Sequence, residues 1–357
     1  MKKIYILLPL IAMTSLSMVG CDHSTDRRPI ITYGTLVDNE ATELIYDTLL
    51  EKVSDKENFL ISVYDDSSNC GCWTTFHYVI NQYVQTYHTK IYYIARSQFS
   101  EDADTFGLAT KIDSSKPIFA LMKEGKQTSQ FVYGDDTKTM FESLDGLRSA
   151  VSRIARDPQF MFVNQKYLDN ALFTEKKDEV VVQYIWRTCP DCNDCFPNVM
   201  VPYSQKFEFK NPVWLIDLEI KGLLLNDAGE KDKTNASYVK FLKDHHMSAV
   251  GDEYFGYDRG FVPTTQVWRN GELKDMNVYF NDEIQVVDGK YVITRSYYNE
   301  TNASKFAYTN TVLQGKELSE EELDIYPEYN YVGWNKEYAR KQHQPILESF
   351  LDMYVKK

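Results

Sequence analysis

Apolar spacing divides the chain into strand-like and helical segments whose order occurs twice. Phe59-Leu-Ile-Ser-Val-Tyr64 is a short apolar run that predicts a strand. After it, Phe76, Val79, Ile80, Tyr83 and Val84 recur at helical spacing and predict a helix over 73–87, while Ala41, Leu44, Ile45, Leu49 and Leu50 predict one over 40–53. A strand over 90–95, a helical stretch around 103–110, a strand over 117–122, a turn at Glu124-Gly125, a strand over 129–133 and a helix over 137–154 complete the first series. The second opens with a connecting helix within 157–174 and a strand over 180–186. A helix over 194–207 follows, which Pro197 and Pro202 should kink or interrupt, and then a strand over 212–217. A helical run over 236–246 and a Gly/Tyr-rich loop over 251–260 precede a strand that begins at Pro263 and ends in the hairpin signal Asn270-Gly271. Beyond it, 283–287 and 291–297 alternate like strands, and 335–354 carries Ile346, Phe350, Leu351 and Tyr354 in an amphipathic helical pattern.

The first residues do not fit this scheme. Lys2 and Lys3 precede an apolar stretch over 4–18 that is too short and too interrupted for a comfortable membrane span. It closes with Met18-Val19-Gly20-Cys21, which resembles the bacterial lipobox. That resemblance implies a signal over 1–20, lipidation of Cys21, a tether over 21–34, and anchoring at the extracytoplasmic face of the cell membrane. Loss of the two lysines takes the formal charge from −13 to −15, which argues against nucleic acid or anionic headgroups as the main partner. The remaining length suggests two domains, placed at 35–156 and 157–357. The six histidines lack metal-type spacing, and His245-His246 reads as a solvated helix face.

Five of the six cysteines fall where a predicted strand hands over to a helix: Cys70-Gly71-Cys72, and Cys189-Pro190-Asp191-Cys192 with Cys195. Unpaired N–H groups of a first helical turn favour the thiolate, the reactive form of cysteine. The element order, the cysteines at that junction, Lys116-Pro117-Ile118-Phe119 and Val262-Pro263-Thr264-Thr265 together resemble the thioredoxin-like superfamily. The second segment, through Tyr184-Ile185-Trp186-Arg187-Thr188-Cys189-Pro190-Asp191-Cys192, also resembles bacterial lipoproteins and bacteriocin-accessory-like thioredoxin-fold proteins. The resemblance implies an α/β fold of two thioredoxin-like domains, each a mixed central sheet flanked by helices. The second carries β-rich and helical insertions; the span from cysteine to proline is 47 residues in the first and 74 in the second.

The resemblance makes Cys189 the attacking thiol, partly exposed, and Cys192 the resolving thiol. Arg187 should lower the Cys189 pKa while Asp191 and Asp194 oppose it, a balance that favours a reducing or isomerising role. Cys195 has three readings: a partner of Cys192 in an alternative disulfide, a member of a three-thiolate metal site without a nearby fourth ligand, or a structural passenger. Pro263, cis by the resemblance, would pack on the sulfurs and leave Val262 backbone to pair with an extended client; the other reading is a trans proline opening an edge strand. Gln183 stands where the family places a buried carboxylate. Cys70 and Cys72 either close a small, readily reduced ring or are remnants, a metal ligand pair or an interdomain contact, with Asp65 and Asp66 disfavouring a thiolate.

Two functions follow. The first is an extracytoplasmic, membrane-anchored thiol–disulfide oxidoreductase. It would act through Cys189 and Cys192 on protein thiols or disulfides of exported proteins, be reset by a membrane electron donor, and need no organic cofactor. The second is a redox-inactive surface lipoprotein that keeps the fold as a binding or accessory module.

Overall fold

The computed structural model describes residues 28–68, 70–99, 115–247, 262–277, 279, 340 and 344–357, together with the backbone of 249–250, 253–254, 278, 282–287, 290–297, 307–310, 336–339 and 341–343. Cys21, the signal, the helical stretch expected around 103–110 and most of the 251–260 loop lie outside the described residues. No described helix is long and apolar enough to cross a membrane.

The first sheet holds β1 (Thr42–Glu43), β2 (Phe59–Tyr64), β3 (Ile91–Ala95), β4 (Ile118–Lys123) and β5 (Lys126–Val132), in the order β1-β3-β2-β4-β5. β1 and β2 run parallel to β3, while β4 is antiparallel to both β2 and β5. Period-two alternation decides which side chain faces which layer. Leu60, Phe119 and Leu121 meet Phe76, Ile80 and Tyr83 of α2 (Gly71–Tyr87) and Leu147 and Val151 of α4 (Leu144–Ile154). Phe59, Ile61, Val63, Ala120 and Met122 face the other way, with Leu49 of α1 (Tyr46–Ser54). At about 1.5–3 kcal/mol for each fully buried large apolar side chain, these two layers hold the sheet.

The second sheet repeats that plan with β6 (Phe160–Phe162), β7 (Val180–Ile185), β8 (Val213–Asp217), β11 (Thr264–Arg269) and β12 (Glu272–Val278), in the order β12-β11-β7-β8-β6. β6 and β7 are parallel to β8, and β11 is antiparallel to β7 and β12. The fold is therefore α/β, with two mixed five-stranded sheets flanked by helices, each thioredoxin-like in strand order and direction. Between β8 and β11 lie α8 (Ala236–Asp244) and the short pair β9 (Ala249–Val250) and β10 (Glu253–Tyr254). After β12, the strands β13 (Asp282–Val287), β14 (Lys290–Tyr297) and β15 (Ala307–Asn310) form a separate antiparallel sheet. The last helix, α9 (Lys336–Tyr354), docks through buried Leu347 and Leu351 and through the Tyr203 hydroxyl donating to Asp352 at 2.8 Å.

Several expectations need correction. The helix expected over 40–53 starts later, because Thr42 and Glu43 pair with Tyr92 and Tyr93 as β1. The helix expected over 137–154 breaks into α3 (Lys138–Glu142) and α4 at extended Ser143, whose hydroxyl accepts from Gly146 N–H at 3.1 Å. A Cβ on Gly146 would lie 2.1 Å from the Thr139 carbonyl oxygen, so only glycine lets the two helices meet there. The 157–174 stretch begins with strand β6, and its helix is only α5 (Gln165–Asp169) followed by a wide turn, Asn170–Thr174. Pro197 and Pro202 interrupt their helix, as expected, without ending it. α6 (Pro190–Cys195) passes through a wide turn at Phe196–Met200 into α7 (Val201–Lys206), and such a turn takes up a proline's missing N–H and ring. Among the described residues the only cis peptide bond is Val262–Pro263, so Lys116–Pro117 is trans. His245 is buried, not solvated.

The C-terminal end of α2 abuts the second sheet. His88, in the left-handed region (φ 49°), caps that helix and packs its ring, tilted, with its centroid 4.0 Å from that of Phe162. Its Nδ1–H donates to the Thr35 carbonyl at 3.0 Å, and Nε2 is buried without a partner. Burial pulls the imidazole down to about 4 from 6.5. The folded chain thus keeps His88 neutral while the unfolded chain takes up a proton as the pH falls through the ordinary value. Its stabilising contribution is complete above that value and lost on the way down to the folded one, a loss of about 3 kcal/mol. Denaturant unfolding across this pH window should show the decline, and His88→Asn should flatten it.

Candidate functional site

Beyond Ile185 the chain turns through Trp186, Arg187 and Thr188 into α6. Cys189 is the N-cap, with extended backbone (φ −69°, ψ 123°), and Pro190 takes the first helical position, where a missing N–H costs nothing. The turn is fastened from both sides. Asn193 Nδ2 donates to the Arg187 and Cys189 carbonyls at 2.7 and 2.9 Å. The Thr188 N–H and hydroxyl donate to the Glu219 carboxylate at 2.9 and 2.7 Å, and Lys231 pairs with the same carboxylate at 3.0 Å. Burial pushes the Glu219 carboxyl up, yet Thr188 and Lys231 together hold it below its usual value. Lys231 and Lys233 also place their ammonium groups 4.7 and 5.1 Å from the Trp186 ring.

Opposite this turn, the antiparallel register Thr264↔Tyr184 brings the strand start of β11 to the end of β7. The cis Val262–Pro263 peptide lies there, and Cys189 Sγ–H donates to the Val262 carbonyl at 3.7 Å. Cys192, one helical turn on, accepts from the Trp186 N–H at 3.5 Å. A hydrogen bond from Cys192 is the main influence on Cys189 and holds its thiol below the usual value, against burial and the Asp191 charge. Burial pushes Cys192 well up, and the Cys189 interaction adds to this. The pair is thus unequal: a thiolate is favoured at the helix cap and a proton is kept on the inner sulfur.

Three expectations about this site change. Cys189 is buried at 8 % exposure, not partly exposed, because Val262 lies across it; Cys192 and Cys195 are at 1 % and 0 %. The Arg187 guanidinium is committed elsewhere, to Asp217 at 2.8 Å and to Asn39, so it is not what lowers the thiol. Asp194 acts on Cys195: burial first, then the Asp194 charge, push that thiol well up, while a hydrogen bond to Gln183 works against them. Gln183, buried beneath the thiols, donates from Nε2 to Thr265 Oγ1 at 3.1 Å. Among the described residues no cluster of three or more His, Cys, Asp or Glu is arranged to hold a metal ion, and Cys189, Cys192 and Cys195 do not form one. Sequence reasoning missed Thr188, Asn193 and Glu219. Glu219 could have been suspected, since it lies just past the carboxyl end of β8, where α/β sheets open their crevices.

In the first domain, Cys70 caps α2 and is joined by a disulfide to Cys72, with both residues half-buried. The Cys72 N–H donates to Cys70 Sγ at 3.3 Å. Asp66 is turned toward Ser97, whose N–H and hydroxyl it accepts, and Asp65 toward the Ser67 N–H and hydroxyl. Trp73 stacks on Tyr64 at 4.4 Å beside the bridge.

The strand order, the cysteine-capped helix and the cis proline facing it define a thioredoxin-like α/β protein. No protein-family model matches the chain, and no curated protein matches it. Among solved structures it is similar to a mutant thioredoxin from Halobacterium salinarum NRC-1, at 18% identity over 34% of this chain and 97% of that one, with a TM-score of 0.26. It is also similar to human ERp44, at 13% identity over 49% of this chain and 45% of that one (TM-score 0.25). A third similarity is to ERdj5, at 10% identity over 76% of this chain and 28% of that one (TM-score 0.26).

Because the Cys192 thiol is what favours the Cys189 thiolate, Cys192→Ala should raise the pH at which Cys189 becomes reactive. Thiolate absorbance or alkylation rate against pH, read at the Cys189 peptide, measures the displacement; a fall would contradict the assignment.

Proposed function

We propose that this chain is a thiol–disulfide oxidoreductase of the extracytoplasmic face, held to the membrane by a lipid on Cys21 and acting on protein disulfides of exported clients. In this reading residues 1–20 are the signal, 21–34 the tether, and 35–156 and 157–357 the two domains. The observation that carries it is the Cys189 sulfur at the N-cap of α6, 3.7 Å from the carbonyl that precedes cis Pro263, with Cys192 beside it. The Cys189 thiolate attacks one sulfur of a client disulfide, and the other client sulfur leaves with the bonding electron pair. Cys192 then loses its proton and attacks Cys189 Sγ, which releases the second client sulfur and leaves a Cys189–Cys192 bond. A dithiol donor at the membrane reverses this bond and restores the pair. Pro263 serves as the positioning wall and Val262 as the backbone edge for the client strand. Arg187 and Glu219 fix the turn, and the reaction needs no organic cofactor.

A second reading, a redox-inactive binding or accessory module, is favoured by the deep burial of all three thiols and by Gln183, which cannot relay the Cys192 proton. The two readings part on one measurement. Offered a disulfide-bonded peptide, the Cys192→Ser chain should accumulate a covalent adduct on Cys189, and Cys189→Ser should abolish turnover. Absence of any Cys189 adduct, with the fold intact by circular dichroism, would leave the binding module as the function.

A further inference from the structure

We propose that Cys70 and Cys72 form a second thiol–disulfide exchange centre, independent of Cys189 and Cys192, which oxidises protein dithiols with Cys70 as the leaving thiolate. A structural staple is the competing role, and the chain geometry disfavours it. A cross-link stabilises by closing a loop, and the shorter the loop the smaller its effect. Here only Gly71 separates the two cysteines, and the first turn of α2 already holds them through the Cys72 N–H to Cys70 Sγ and the Trp73 N–H to the Cys70 carbonyl at 3.2 Å. The bond therefore adds little that the helix does not supply.

Access and asymmetry point to exchange. Both cysteines are half-buried, whereas Cys189, Cys192 and Cys195 are all buried. Gly71, between them, is exposed, and among the described residues nothing lies within 4 Å of a Cβ built on it. Cys70 is the N-cap of a 17-residue helix and Cys72 lies inside its first turn. On cleavage, charge left on Cys70 Sγ meets the Cys72 N–H and the positive end of α2, and the better-stabilised thiolate leaves faster. The carboxylates of Asp65 and Asp66 are engaged by Ser67 and Ser97.

The step balances without an outside reagent. A client thiolate attacks Cys72 Sγ, a client–Cys72 bond forms, the Cys70–Cys72 bond breaks, and its electron pair departs on Cys70. The second client thiolate attacks the client sulfur of that mixed disulfide and releases Cys72. The client has lost two electrons and become a disulfide; Cys70 and Cys72 are the reduced pair. A low-molecular-weight disulfide such as oxidised glutathione restores the bond by the same exchange in reverse.

α2 rises about 1.5 Å per residue, so the chain advances about 27 Å from Cys70 to His88. The His88 ring lies 6.4 Å from Phe196, the residue after Cys195. The segment after Cys195 thus adjoins the C-terminal end of α2, the end opposite Cys70.

The full chain equilibrated in glutathione buffers, acid-quenched, alkylated and mapped by mass spectrometry tests this peptide by peptide. The Cys70–Cys72 bonded fraction should fall on the order of tenfold or more between the most oxidising and most reducing buffers. The transient glutathione adduct should sit on Cys72, and after reduction Cys70 should be alkylated at lower pH than Cys72. The same profile should persist in Cys189→Ser. A bond that stays intact in the most reducing buffer, thiols that stay reduced in the most oxidising one, or an adduct confined to Cys70 would overturn the proposal. Cys189 and Cys192 are read from separate peptides, so neither result depends on the other centre.

Discussion

The antiparallel register of β11 on β7 is the constraint on which the second-domain site depends. Pairing Thr264 with Tyr184, Thr265 with Gln183 and Gln266 with Val182 fixes where the chain enters the strand, and so fixes Val262 and Pro263 over the start of α6. A slip of one residue would exchange the two faces of β11 and move the Val262 carbonyl off Cys189. A buried polar network prevents it. Gln266 Nε2 donates to the His245 carbonyl at 2.8 Å, and Trp268 Nε1 donates to Gln266 Oε1 at 2.8 Å. The His245 ring bridges Tyr184 OH at 3.0 Å and Asp169 Oδ1 at 2.9 Å. Each of these groups has one geometry in which it is satisfied, and leaving one unmet costs about 1–3 kcal/mol, so the network selects a single register.

Burial then distributes protons among the three sulfurs of α6. Desolvation alone would raise every thiol, and it dominates at Cys192 and Cys195. Cys189 escapes because Cys192 is close enough to donate to it. The buried inner thiol thus stabilises the thiolate at the helix cap. Arg187 contributes through Asp217 and Asn39, which tie the turn to the end of β8 and to the first domain, so its charge is spent on position and not on the sulfur.

Much of this was legible in the chain. The strand at Phe59–Tyr64, the strand–cysteine–helix junctions and the hairpin at Asn270-Gly271 follow from alternation, from the N-terminal proline of α6 and from turn chemistry. What escaped was set by long-range partners. Thr42 and Glu43 have a helical surrounding pattern, yet β3 offers them an unpaired edge. His245 looks solvated beside His246, but Phe241 stacks on it at 4.0 Å and Tyr184 reaches it from another strand. The burial of Cys189 depends on Val262, which is 73 residues away in sequence, and local spacing carries no trace of that contact.

The two cysteine centres occupy the same place in the same fold and differ in what faces them. In the second domain, three residues separate Ile185 from the cap Cys189, and a cis proline faces the cap. In the first, five residues separate Tyr64 from Cys70, and Lys116–Pro117 is trans. Beside the Cys70 cap, Tyr64 and Trp73 stack on one another. The consequences are opposite in kind. Cys189 gains its charge stabilisation from a second sulfur and lies beneath Val262, whereas Cys70, half-buried, meets the peptide N–H of Cys72. A helix start offers the same partial positive charge in both domains. The strand that crosses in front of it decides whether that charge serves a guarded thiol or an accessible disulfide.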